Sequence, residues 1–96
     1  MQKVLLYTTA KIVWTFLFSG TDVNENRTHV HVGKKDTKHF AKFWLEPQVE
    51  LVKEGDLTDA QLKQLQQIVE ENREELLKQW NVFVKGGTVK IIKIHK

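Results

Sequence analysis

The chain has 96 residues, of which 41% are hydrophobic and 28% are charged, and its formal net charge is +3. This length predicts a single domain over residues 1–96, and the absence of cysteine excludes disulfide frameworks, thiol nucleophiles and cysteine-ligated zinc. The most apolar stretch, residues 12–18, is far shorter than the roughly 20 residues that span a bilayer. We therefore expect neither a membrane span nor a signal peptide, and the lack of cysteine fits a cytoplasmic location.

Charge is unevenly distributed along the chain. Residues 1–44 carry seven Lys or Arg and three Asp or Glu, whereas residues 45–84 carry four bases and nine acids. Nucleic-acid binding needs several clustered cations, so a small net charge supports it only weakly. We interpret the lysines as solvated residues that protect sheet edges.

The first half of the chain has the period of β-strands. Apolar residues alternate at Val4 and Leu6 and again over residues 12–18, which is typical of half-buried strands. We expect a hairpin with its turn at residues 8–11. An exposed loop rich in Gly, Asn and Asp follows at residues 19–28.

Two further strands are predicted at residues 28–32 and 39–45. If Val32 pairs with His39, the core face carries Val30, Val32, Ala41, Phe43 and Leu45. The opposite face then carries His29, His31, Phe40, Lys42 and Trp44.

The second half of the chain changes period. Pro47 ends the preceding strand because it cannot donate to a ladder, and a short strand follows over residues 49–52. Thr58 and Gln61 form a capping box. It opens an apolar stripe with helical spacing that consists of Leu62, Leu65, Val69, Leu76, Trp80 and Phe83.

We expect this stripe to belong to one long helix over residues 58–85, continuous or kinked at Asn72, rather than to two helices. It ends at Gly86 and Gly87, and a terminal strand follows over residues 88–94. The predicted fold is α+β: an antiparallel sheet of about five strands, mostly from residues 1–54, with one long C-terminal amphipathic helix packed on one face.

The strongest local motif is His29-Val30-His31. On a strand, residues two apart point the same way at a spacing of about 6.6 Å, so both imidazoles can converge on one ligand. A catalytic zinc needs a third protein ligand. The spacing of the possible third ligands does not favour any one of them. These are His39, Asp36, Asp22 and Glu46. We therefore predict no metal and no cofactor, and favour a structural role for the pair.

A pair of histidines beside a cation is also the minimal set for metal-independent phosphodiester cleavage. One imidazole removes a proton and the other donates one, while Lys42 or Arg27 stabilises the developing charge. Trp44 and Phe40 are candidates for stacking an unpaired base. The candidate catalytic residues are thus His29, His31 and Lys42, and the candidate binding residues are Arg27, Phe40 and Trp44.

Three motifs follow one another along the chain: HVHV at residues 29–32, AKFWL at residues 41–45 followed by Pro47, and LLKQWN at residues 76–81. In this order they resemble the small bacterial family known as domain of unknown function 4160, over residues 14–84. Thr28 stands where many members have a proline, and residues 88–96 look like an addition to the family pattern.

This resemblance implies a protein without an assigned activity. Members are frequently encoded beside a second small protein, domain of unknown function 2442, in pairs suspected to be toxin–antitoxin modules. It therefore implies a small protein partner encoded nearby, and carries over only His29, His31, Lys42 and Trp44 as a candidate site.

Three functions follow as hypotheses. The first is a protein-binding component of such a module, supported by unpaired edges such as residues 89–92, which can add to another sheet. The second is a metal-independent ribonuclease or related toxin that uses the His pair, with RNA as its partner. The third is a His-ligated metal-binding protein.

Overall fold

A computed structural model describes residues 2–18 and 27–95 of the chain. Its elements are β1 (Gln2–Thr8), β2 (Val13–Phe18), β3 (His29–Gly33), β4 (Ala41–Trp44), β5 (Glu50–Lys53), α1 (Asp59–Glu71), α2 (Arg73–Val84) and β6 (Ile92–His95). The strands form one sheet in the order β5-β4-β3-β2-β1-β6. The α+β class is confirmed, with six strands and two helices in the described residues. Most of the predicted exposed loop, residues 19–26, lies outside them.

The predicted hairpin of β1 and β2 is confirmed. Its turn is closed by the backbone N–H of Thr9, which donates to the carbonyl of Ile12 at 2.9 Å. The pairing of β1 with β2 shifts register between Lys3 and Leu5, as in a β-bulge. Because of this shift, Val4 and Leu5 are both buried although they are neighbours in sequence.

One face of the sheet packs against the helices and forms the core. All five residues that were predicted to face the core from this pair of strands are fully buried. They are Val30, Val32, Ala41, Phe43 and Leu45. The helical stripe supplies Leu62, Leu65, Val69, Leu76 and Trp80 to the same cluster, and Phe83 packs against it while partly exposed.

The register of β3 and β4 differs from the predicted one by two residues. Val32 pairs with Ala41, not with His39. An even shift leaves every side chain on its predicted face, because side chains alternate with a period of two. The Oδ2 atom of Asp56 accepts hydrogen bonds from the backbone N–H groups of Lys38 and His39 at 3.1 and 3.0 Å, which holds this segment outside the ladder.

The expectation of one long helix is wrong, because the chain leaves helical geometry at Asn72, whose φ and ψ are −110° and 13°. The side-chain Nδ2 of Asn72 donates to the carbonyl of Ile68 at 2.8 Å, in competition with the helix backbone. The capping box of Thr58 and Gln61 is confirmed at the start of α1. Neither helix is long and apolar enough to cross a bilayer.

The tail forms a strand that begins at Ile92 rather than at residue 88. This strand, β6, pairs in parallel with β1, with Ile92 opposite Leu5 and Ile94 opposite Tyr7. Val89 is buried in the core. Of residues 89–92, which we expected to extend the sheet of a partner, only Ile92 lies in β6, and β6 is an edge strand of the sheet.

Candidate functional site

The ladder between β3 and β4 brings four candidate residues together. His29 pairs with Trp44 and His31 pairs with Lys42. Directly opposite residues of an antiparallel pair share a face, and the neighbouring pairs Val30–Phe43 and Val32–Ala41 face the core. By alternation the four candidates belong to the other face of the sheet, although the ring of His29 also contacts Trp80 of α2. Arg27, just before β3, lies beside Trp44.

Two cations lie over the ring of Trp44. The Cζ atom of Arg27 is 4.6 Å and the Nζ atom of Lys42 is 4.7 Å from the ring centroid. Cation–π contacts of this kind contribute about 0.5 to 2 kcal/mol each, depending on exposure. Trp44 is half-buried, so the ring is fixed in position while part of its surface stays accessible.

Arg27 is itself held in place by two acceptors. Its Nε donates to the carbonyl of Glu46 at 2.7 Å, and its Nη2 donates to the Oε2 of Glu50 at 3.2 Å. Both side chains of this ion pair are about half exposed. An exposed pair contributes at most about 1 kcal/mol, so its main effect is to orient the guanidinium over Trp44.

Arg73 binds the neighbouring carbonyls from the start of α2. Its Nε donates to the carbonyl of Leu45 at 2.6 Å and its Nη2 to that of Pro47 at 3.1 Å. Together, Arg27 and Arg73 bind three consecutive carbonyls just after Trp44. The sequence analysis did not single out Arg73. Arg27 and Arg73 are the only two arginines of the chain, and a planar guanidinium can bind two carbonyls at once more readily than lysine can.

His29 is fully buried in an aromatic cluster. Its ring centroid lies 5.2 Å from that of His31, 5.6 Å from that of Trp44 and 5.4 Å from that of Trp80. Its Nδ1 lies 2.9 Å from the carbonyl oxygen of Arg27. Because a carbonyl only accepts, Nδ1 carries the proton in this bond. Full burial favours a packing role over direct contact with a ligand.

His31 is the more accessible imidazole, since its residue is only half-buried. It lies between Leu17 of β2 and Lys42 of β4 in the ladder. Lys42 is only 8% exposed. The arrangement offers one imidazole beside a nearly buried cation.

The candidate metal ligands that the structure describes do not form a metal-binding group. Within residues 2–18 and 27–95, no three His, Asp or Glu side chains are placed to hold a metal ion. His39 lies at the backbone contact with Asp56 instead. Asp22 lies outside the described residues.

Phe40 is separated from the other candidates. It precedes β4, whereas Trp44 ends that strand, and four residues of extended chain span about 13 Å. Phe40 lines a shallow hollow with Lys3, Val13, Thr15, Leu17, Lys34 and Lys35. The predicted site therefore divides into a cluster around Trp44 and a second surface around Phe40.

The family model described as Domain of unknown function (DUF4160) matches residues 14–81. The matched segment contains all six candidate residues and Arg73, whereas β1 and β6 lie outside it. No curated protein and no solved structure matches the chain.

Proposed function

The chain belongs to the DUF4160 family, and from this premise we propose that it is a protein-binding component of a two-gene, toxin–antitoxin-like module, without catalysis of its own. The observation that supports this most directly is the state of Trp44, which is half-buried and held by Arg27 and Lys42. The partner is the small protein encoded beside it.

A rigid, partly accessible tryptophan beside an arginine has the character of an interface anchor. Trp and Arg are enriched among the residues that carry most of the binding energy of protein interfaces. Because the ring is already fixed by its two cations, association costs less side-chain entropy than it would for a mobile ring.

Burial argues for binding over acid–base catalysis. A general base must come within about 2.6 to 3.2 Å of the proton that it removes, and the residue His29 has no exposed surface. The arrangement of His31 opposite Lys42 is the one observation that favours the ribonuclease alternative, because it places a half-exposed imidazole next to a cation.

The test is co-expression of the chain with the product of the adjacent gene, followed by calorimetric titration of the purified proteins. We expect Trp44→Ala to weaken binding at least tenfold, corresponding to about 1.4 kcal/mol. Ile91→Ala is the control, since it removes an apolar side chain that is 40% exposed on the tail. Melting curves establish that both variants are folded at the assay temperature.

Two results would overturn the proposal. One is equal binding by Trp44→Ala and the parent chain. The other is cleavage of single-stranded RNA by the purified chain that is lost in His31→Ala without a change in melting temperature, which would support the ribonuclease instead.

A further inference from the structure

Four lysines lie together around the sheet face opposite the core, and edge protection explains at most one of them. Lys11 lies in the β1–β2 turn, and Lys34 and Lys35 lie in the link after β3. Lys3 precedes Leu5, the first residue of β1 that pairs with β6, so β1 has an open edge at Lys3. The other lysines of edge strands are Lys53 on β5 and Lys93 on β6. Protection of edges therefore accounts for Lys3, Lys53 and Lys93, but not for Lys11, Lys34 and Lys35.

The four lysines line one continuous groove, which we call the lysine groove. It consists of two shallow hollows of about 390 and 400 Å³ that share Val13, Lys34 and Lys35. The first hollow adds Lys11, Ile12 and Asp36, and the second adds Lys3, Thr15, Leu17 and Phe40. Among the residues that the structure describes, Asp36 is the single acidic one in either lining.

The floor of the lysine groove is apolar. Val13 is 48% exposed, and Leu17 is buried but does not belong to the core cluster. Phe40 lies against the backbone of Gly33, where an added Cβ would be only 3.2 Å from its Cδ2 atom. The same Cβ would be 3.1 Å from the side chain of Thr37, so a side chain at residue 33 would require both neighbours to move by a few tenths of an ångström.

We propose that the lysine groove binds single-stranded nucleic acid. Four cations against one acid select a polyanion. An apolar floor with an aromatic ring matches the exposed faces of unpaired bases, which a duplex keeps stacked inside. Each hollow also has a volume within the range of about 300 to 1,000 Å³ that is typical of small-ligand sites. A peptide of Asp and Glu would satisfy the lysines but has no aromatic faces to stack on the floor.

This site is independent of the proposed protein interface. The lysine groove uses none of the residues that hold Trp44, so either surface can fail its test without the other. The small net charge of the chain gave no indication of the lysine groove. The four lysines are distributed over residues 3–35, and only the pairing of β1, β2 and β3 brings them together.

The experiment measures binding of a fluorescently labelled oligouridine of about 12 nucleotides, a length within the usual site size of single-strand binders. The test variant is Lys34→Ala/Lys35→Ala. Lys34 contributes its backbone, not its side chain, to the hydrogen bonds with Thr37 that shape this link, so the variant keeps the fold. The control is Lys63→Ala/Lys85→Ala, which removes the same charge from exposed positions in α1 and just after α2.

At about 50 mM salt, we expect the groove variant to bind at least tenfold more weakly and the control to change by less than about threefold. The slope of log K against log salt concentration should fall by about 1.4 in the groove variant, since each lost contact with a single strand contributes about 0.7. Phe40→Leu keeps an apolar side chain but removes the ring, and should weaken binding by about fivefold or more through lost stacking.

Three results would overturn the proposal. The two lysine variants could lose equal affinity for the oligouridine. A duplex of the same length, or oligoglutamate, could bind the parent chain as tightly as the oligouridine does. Absence of measurable binding by the parent chain at low salt also overturns it. If Phe40→Leu does not fold, as judged by its melting curve, the lysine pair and the competitor strands still decide the outcome.

Discussion

His29 lies directly across the β3–β4 ladder from Trp44, and their rings meet edge to face at 5.6 Å with an interplanar angle of 89°. The imidazole also lies 5.4 Å from Trp80 of α2, which in turn meets Phe18 at 5.0 Å. The buried imidazole thus connects α2 with the strand that carries the proposed binding anchor. Its position supports a role in holding Trp44 rather than in touching a ligand.

The two histidines should therefore differ in their effect on stability. We expect His29→Ala to lower the free energy of unfolding by more than about 2 kcal/mol, because it leaves a cavity in a fully buried cluster. His31→Ala, at a half-buried position, should cost less than about 1 kcal/mol. Urea unfolding of the two variants measures both values. A larger loss for His31→Ala would contradict the packing role of His29.

Leu65 tests the packing of α1 on the sheet. It is fully buried in the core cluster, so Leu65→Ala should cost about 2 to 5 kcal/mol of unfolding free energy. Lys63→Ala, two residues away at an exposed position, should change stability by no more than about 0.5 kcal/mol. Chemical denaturation distinguishes the two, and similar small losses would mean that this face of α1 is not buried.

Two glycines with positive φ allow the cost of a strained backbone to be compared with the cost of a steric clash. Gly55 has φ of 60° and Gly86 has φ of 77°. An added Cβ at Gly55 would collide with the backbone of residues 39–41, whereas at Gly86 it would meet nothing. Gly86→Ala should cost about 1 to 2 kcal/mol from its left-handed conformation alone. Gly55→Ala should cost clearly more, and equal losses in thermal unfolding would refute the close approach.

Asp56 should make stability depend on pH in acid. The backbone N–H of His39 is the main reason that the pKa of Asp56 lies below its ordinary value of 3.8. Partial desolvation opposes this shift, while the N–H of Lys38 and the charges of both residues support it. Because the pKa is lower in the folded state, the contribution is present above about pH 4 and is lost as the pH falls through the lowered value.

The matched variant for this pH effect is Asp56→Asn. Its deficit in unfolding free energy relative to the parent chain should be constant near neutral pH and shrink below the ordinary aspartate pKa. Urea unfolding of both proteins over a series from neutral to strongly acidic pH measures the difference. A deficit that grows in acid would have the wrong sign and would contradict the role of the carboxylate.

Local periodicity in the sequence predicted the elements and their faces. Alternation placed Val30 and Val32 in the core, and the helical stripe identified Leu65 and Trp80 as buried. Alternation also put His29 and His31 on one face, but it did not show that His29 is fully buried against Trp80. The capping box at Thr58 predicted the start of α1 within one residue. These features depend on neighbours at most four residues apart, and such neighbours are visible in sequence.

Contacts between distant residues decided the rest. The β3–β4 register is accompanied by the hydrogen bonds of Asp56 to Lys38 and His39. The two-helix arrangement includes the bonds from Arg73 to the carbonyls of Leu45 and Pro47. The pairing of β6 with β1 joins the two ends of the described chain. The gathering of Lys3 and Lys34 on one groove likewise requires the assembled sheet. The relative free energies of such long-range pairings depend on packing across the whole fold, so no local pattern encodes them.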